Sequence, residues 1–280
     1  MTRLFNVVKP KFSGASKWGY GINLQGNGES PKFNMILTND KPANPSKGRQ
    51  QKLRKENLTP NKIHLYYLDM RQITLAQHEL YGILNRSEQR RYNDFKNTKR
   101  QSQFIMSRWL IKQCLKQLFA QPLSHDYQLI DYCCWKVTEQ DKSYSISISH
   151  SGHFIGVAIA AFPCAIGLDI EQHKPRNFSE LVQIIGTKKE QNLVCNHADP
   201  QSTFYHLWTA KEALLKASKK SVERVCKESL LSCLRHPFGL VAGYHYLSGS
   251  LAEDTYSYCV MSNSKARVIV EDFAVSYRHT

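Results

Sequence analysis

Gly167-Leu168-Asp169-Ile170-Glu171 and, further along, Trp208-Thr209-Ala210-Lys211-Glu212-Ala213-Leu214-Leu215-Lys216 are the stretches on which the reading of this chain turns. The first alternates apolar and acidic residues, the period of a strand, so Asp169 and Glu171 share a face. The second sets Trp208, Glu212 and Lys216 four residues apart, along one stripe of a helix. Together they predict mixed α and β structure with a polar site where strand and helix meet. Three carboxylates and an ammonium converging there would hold Mg²⁺ against phosphates, because Mg²⁺ takes hard oxygen ligands and is usually bound by carboxylates plus substrate phosphate.

Working outward, Ser145-Ile146-Ser147-Ile148 alternates strictly and Phe154 to Ala161 is apolar, so both read as strands. The apolar run from Phe154 to Leu168 is interrupted by Pro163 and reads as two buried strands joined by a turn; it is too short to span a bilayer. Ile63 to Leu68 is β-prone. In the tail, Tyr244 to Tyr246, Tyr256 to Val260 and Val268 to Val270 predict antiparallel strands. Asn85 with Glu88 forms a capping box that opens a basic helix over 86–116, with Phe95, Phe104, Ile105, Trp109 and Leu110 on its apolar side. Thr187 with Glu190 opens a short helix, and 204–218 is helical. This mixture predicts an α+β fold rather than a regular βαβ array.

The chain has 280 residues, 41% of them hydrophobic and 11% aromatic, enough for a proper core. Residues 1–60 differ in composition. They carry eleven Lys and Arg against three acids, and eleven of the 24 Gly and Pro residues, which predicts a flexible basic extension. The remainder divides into two halves of similar size, 61–164 and 165–280. A net charge of +15 favours anionic partners. The eight cysteines include no C-x-x-C pair, and Met1 to Phe5 lacks the apolar core of a signal peptide, so reduced thiols and a cytoplasmic location are expected.

Asp169 and Glu171 side by side repel unless a cation or basic groups lie between them. Glu212 and Lys216 alone would be an everyday surface pair worth about 0.3–0.5 kcal/mol. Ser149-His150-Ser151-Gly152 invites a hydrolase reading, but neighbours on a strand point to opposite faces, and there is no G-x-S-x-G elbow. Hydroxyls, an imidazole and a Gly turn suit phosphate or a base edge instead. His150, His153 and Cys164 match no common zinc spacing. The basic helix comes without a helix-turn-helix, zinc-finger or ribonucleoprotein signature, so a solvated face is expected and nucleic acid is not.

Taken in order, Ile148-Ser149-His150-Ser151-Gly152, then Gly167 to Glu171, then Phe204-Tyr205-His206-Leu207-Trp208-Thr209-Ala210-Lys211-Glu212 through Lys216 resemble the 4′-phosphopantetheinyl transferases. The likeness is to their larger pseudodimeric class, and it covers about 63–270. The resemblance implies an α+β fold of two similar halves with the active site between them. It also implies transfer of the 4′-phosphopantetheine moiety of coenzyme A to a serine of an apo acyl or peptidyl carrier protein, releasing 3′,5′-ADP. Asp169, Glu171 and Glu212 would then hold Mg²⁺. Glu212 would act as general base, and Lys216 would stabilise the departing phosphate. Ser149, His150, Arg91 and Lys136 would contact coenzyme A. A monomer without membrane attachment is implied, serving fatty acid, polyketide or nonribosomal peptide synthesis. The chain departs from the family in having Cys134-Trp135-Lys136-Val137 where Gly-Lys-Pro is common, and Glu88 where a basic residue is often found. A rival reading is another coenzyme-A-using transferase, such as an acyltransferase, whose activity would not depend on Mg²⁺. A second rival, a basic nucleic-acid-binding protein, would show salt-sensitive binding to DNA or RNA.

Overall fold

Alternation along the strands sorts their side chains onto faces, and three cores follow from it. The computed structural model describes residues 61–73, 77–119, 135–139, 142–160 and 162–273; the extension expected over 1–60 lies outside them. The first half runs β1 (Lys62–Asp69), α1 (Gln77–Gly82), α2 (Arg86–Asn93), α3 (Thr98–Phe119), β2 (Trp135–Glu139), β3 (Lys142–Ser151) and β4 (Phe154–Ala160). The second runs β5 (Ile166–Gln172), α4 (Phe178–Ile185), α5 (Lys188–Cys195), α6 (Pro200–Ser218), α7 (Val222–Lys227), α8 (Leu231–Arg235), β6 (Phe238–Val241), β7 (Tyr244–Leu251) and β8 (Tyr256–Ser262). A last strand, β9 (Arg267–Asp272), returns to the first half.

Two sheets result, with strand orders β2-β3-β4-β1-β9 and β5-β8-β7-β6. Apart from β9 they repeat one arrangement. In each, the first strand pairs with the fourth, the fourth with the third and the third with the second, all antiparallel. The strand β9 was expected to be antiparallel. It pairs parallel with β1, Leu65 opposite Val270, because it enters from the second half and joins the free edge of the first sheet.

Tyr66 and Leu68 of β1, Ile155, Val157 and Ile159 of β4 and Tyr144 and Ile146 of β3 pack against α3 through Ile105, Trp109, Leu110 and Leu115. The opposite faces, with Ile63, Leu65, Ala158 and Ala160, meet Ile166, Leu168 and Ile170 of β5 and Tyr258 and Val260 of β8 between the sheets. Beyond β8, Cys259 and Met261 join Phe204, Leu207, Trp208 and Leu214 of α6. The molecule is therefore four layers: helices, sheet, sheet, helices. With both faces covered, every residue of β4 is buried.

At the two expected capping positions, Asn85 Oδ1 accepts from the Glu88 N–H at 2.9 Å and Glu88 Oε2 from the Asn85 N–H, while at Thr187 it is the Glu190 half that bonds, Oε2 accepting from the Thr187 N–H. The basic stretch expected as one helix over 86–116 is two. It breaks at Asp94–Asn97, where Asn97 Oδ1 accepts from the Arg100 N–H at 3.2 Å and starts α3 afresh. Helix α6 begins earlier than the apolar pattern suggests. Asp199 caps it through the Ser202 N–H at 3.0 Å, and Pro200 takes the first turn, where its missing N–H costs nothing.

Candidate active site

The site forms on the seam between the sheets. Strand β5 is an edge of its sheet, so among the described residues its outward N–H groups have no strand to pair with. Serines of β3 meet them. Ser147 Oγ accepts from the Leu168 N–H at 2.9 Å, Ser149 Oγ from Ile170 at 3.1 Å and Ser151 Oγ from Gln172 at 3.1 Å, and just ahead of the strand Ser145 Oγ accepts from the Cys164 N–H at 3.0 Å. The polar phase of this alternating strand thus faces a buried seam, and Ser147 is fully buried.

The hydroxyls then donate. Ser149 donates to Asp169 Oδ1 at 2.9 Å and Ser151 to Glu171 Oε2 at 2.8 Å. From α6, Lys216 Nζ donates to Asp169 Oδ1 at 2.8 Å and to the Leu168 carbonyl at 2.7 Å. Gly167 makes this approach possible: a Cβ there would collide with the Ala213 carbonyl and lie 2.8 Å from the Ala217 nitrogen. Glu212, one turn before Lys216, is 1% exposed, and Trp208 packs in the core. A surface Glu–Lys pair is what the spacing suggests in isolation; the tertiary structure buries Glu212 and half-buries Lys216.

Burial pushes the Asp169 carboxyl above its ordinary range, with Lys216 and Ser149 opposing the rise. Burial works against the Lys216 ammonium too, but Asp169, Glu212 and Glu171 outweigh it and raise its pKa. Lys216 therefore feels all three expected carboxylates at once. His150 follows Ser149 on the opposite face of β3. Burial, with Arg100 and Lys216 adding to it, lowers its imidazole to about 3, so it is neutral at physiological pH.

Among the described residues no group of three or more His, Cys, Asp or Glu is arranged to hold a metal ion. One carboxylate oxygen nevertheless fits a hard cation: Asp169 Oδ2 is buried without a hydrogen-bond partner. Arg91 lies exposed on α2, its guanidinium 5.7 Å from the centre of the Phe104 ring. Lys136 stands on β2 opposite Ser145, and its side chain lies outside the described residues. Gln103 of α3 was passed over by the sequence reading; its Nε2 donates to the Gly152 carbonyl at 3.4 Å, beside the turn that follows His150. Lys211, also passed over, lies fully buried against Glu190 at 3.2 Å and holds the backbone around α7. Its burial has no local signal, since its neighbours in sequence are polar and apolar alike.

Residues 165–240, which supply β5, the whole of α4 to α8 and the start of β6, match the family model described as the 4′-phosphopantetheinyl transferase superfamily. That segment carries Asp169, Glu171, Glu212 and Lys216, and it is similar to a family of transferases. The chain is 27% identical over 119 residues to the 4′-phosphopantetheinyl transferase psf-1 of Bacillus pumilus, which is 42% of this chain and 50% of that protein. It is 36% identical over 77 residues to the 4′-phosphopantetheinyl transferase ffp of Bacillus subtilis, covering 27% of this chain and 34% of the relative. A putative 4′-phosphopantetheinyl transferase of Haemophilus influenzae is 35% identical over 80 residues, 28% of this chain and 34% of its own length. The match thus spans a third to a half of these relatives. No helix among the described residues is long and apolar enough to cross a membrane.

Proposed function

We propose that this protein transfers the 4′-phosphopantetheine moiety of coenzyme A to a serine hydroxyl of an apo carrier protein and releases 3′,5′-ADP. The observation that carries the reading is the meeting of Asp169, Lys216 and Ser149 within 2.9 Å, in and against the segment that matches the superfamily. The repeated strand order of the two sheets supports a duplicated, pseudodimeric architecture with the site on the seam.

Asp169, Glu171 and Glu212 would hold Mg²⁺, and the ion, when bound, supplies charge neutralisation at the diphosphate. They are not gathered into a ready-made ligand set. Mg²⁺ keeps several waters and uses substrate phosphate as ligand, so it needs few protein oxygens. Lys216 is held protonated by its carboxylate neighbours and can stabilise charge developing on the departing phosphate. Glu212 is the base for the incoming serine hydroxyl. His150, neutral, offers the nucleotide a hydrogen bond rather than a charge. The basic composition suits an anionic donor and an acidic carrier protein.

Purified protein incubated with Mg²⁺, coenzyme A and an apo carrier should yield a carrier heavier by one phosphopantetheine, read by mass spectrometry. Asp169→Ala should lower the rate by at least about a hundredfold while far-ultraviolet circular dichroism stays unchanged. An Asp169→Ala protein that transfers at the wild-type rate would refute the role given to this carboxylate.

A further inference from the structure

Ser147, Ser149 and Ser151 of β3 each accept from one N–H of β5, and the side chain just before that N–H decides what the serine can do next. Ser147 accepts from Leu168, and the residue before is Gly167, which offers no carboxylate. Ser149 accepts from Ile170, after Asp169, and Ser151 accepts from Gln172, after Glu171. A hydroxyl oxygen that already accepts a backbone N–H has its proton left to give. Ser149 gives it to Asp169 and Ser151 gives it to Glu171. The i, i+2 spacing of the two serines thus matches the i, i+2 spacing of the two acids across the seam.

We propose that Ser151 is a positioning residue: it fixes the Glu171 carboxylate in the rotamer that faces the site, as Ser149 does for Asp169. Asp169 is fully buried and is also held by Lys216. Glu171 is half-buried, has one more rotatable bond, and accepts from a serine that is itself anchored to the backbone. Fixing a flexible acid before it binds removes an ordering cost, and a charge-assisted hydrogen bond orients the oxygen that accepts it. The turn beside it is closely packed. Gly152 has φ +57°, and a Cβ there would strike the Tyr256 hydroxyl and lie 2.7 Å from Gln172 Oε1. Ser151 therefore has little freedom to drift from Glu171. This inference rests on the proposed function in taking Glu171 as a metal-facing group.

The test compares Ser151→Ala, Ser151→Thr and the control Ser147→Ala with the wild type. Mn²⁺ binding is followed by electron paramagnetic resonance, and the Mg²⁺ concentration for half-maximal transfer is measured with thermal melting alongside. Ser151→Ala should weaken Mn²⁺ binding and raise the Mg²⁺ requirement by about tenfold, with the KM for the carrier unchanged. Ser151→Thr keeps the hydroxyl and should restore both. Ser147→Ala loses an equivalent backbone hydrogen bond and should leave Mn²⁺ binding as in the wild type. Wild-type Mn²⁺ affinity in Ser151→Ala, equal loss in Ser147→Ala, or no rescue by Ser151→Thr each overturns the inference while leaving the transfer reaction standing. A wild-type chain that neither transfers nor binds Mn²⁺ removes the function and this inference together.

Discussion

Lys216 is pulled toward Asp169, Glu171 and Glu212 at once, and it also donates to the Leu168 carbonyl of β5. It therefore belongs to the strand's site as much as to its own helix. His150 shows the opposite electrostatics, because no carboxylate among the described residues compensates its burial. Its folded pKa of about 3 lies below the ordinary 6.5, so the unfolded chain binds the proton more readily. The stability it contributes is present above pH 6.5 and is lost as pH falls from there toward 3. The loss is at most about 1.4 kcal/mol per pH unit. Urea unfolding at pH 7, 6 and 5 should show this slope in the wild type and a flatter one in His150→Gln. Identical slopes in the two proteins would mean that the imidazole is not held neutral.

At the scale of the element, α6 is held by charge on both its flanks. On one, Lys216 reaches β5. On the other, Lys211 is bound to Glu190 of α5 and donates to the carbonyls of Val225 and Cys226, each at 3.3 Å, and of Glu228. Glu190 in turn accepts from the N–H groups of Leu230 at 2.5 Å and Thr187 at 2.6 Å. The pair satisfies the buried backbone of three helices, so it cannot be traded for apolar side chains without orphaning those groups. Lys211→Met should lower the unfolding free energy by about 3–5 kcal/mol, because it strands the Glu190 charge in the interior. Chemical denaturation checks this, and a loss below about 1 kcal/mol would show that the pair is dispensable. The adjacent residues Lys211 and Glu212 thus differ: Lys211 holds the helix down, and Glu212 acts on Lys216, raising its pKa.

At the scale of the molecule, the halves are joined by more than the serine seam. β9 leaves the second half to pair with β1, and Phe273 just beyond it is fully buried in the first-half core. Its ring meets Trp109 edge-on at 5.6 Å and Tyr66 at 6.1 Å. The closing strand therefore completes the opening core. Phe273→Ala should cost about 3–5 kcal/mol. It should lower the melting midpoint seen by Trp109 and by Trp208 equally, measured in variants in which only one of those two tryptophans is kept and the remaining tryptophans are replaced. A shift confined to Trp109 would show that the halves melt independently.

Some of this was legible from local pattern. Period-two alternation in 145–148 and 167–171 identified β3 and β5 and the acids of β5, and the capping-box patterns at Asn85 and Thr187 located the starts of α2 and α5, because those signals are contained within a few residues. The sequence also determined that Asp169 and Glu171 share a face and that Glu212 and Lys216 share a stripe. Period alone says only that a strand has two faces, and what covers each is a contact between residues far apart in the chain. Tertiary structure alone decided that the serine face of β3 is buried against β5 and that β9 runs parallel to β1. It likewise turned a Glu–Lys spacing common on surfaces into a half-buried link from α6 to a strand, because only the packing of the second sheet and its helix takes those groups largely out of water.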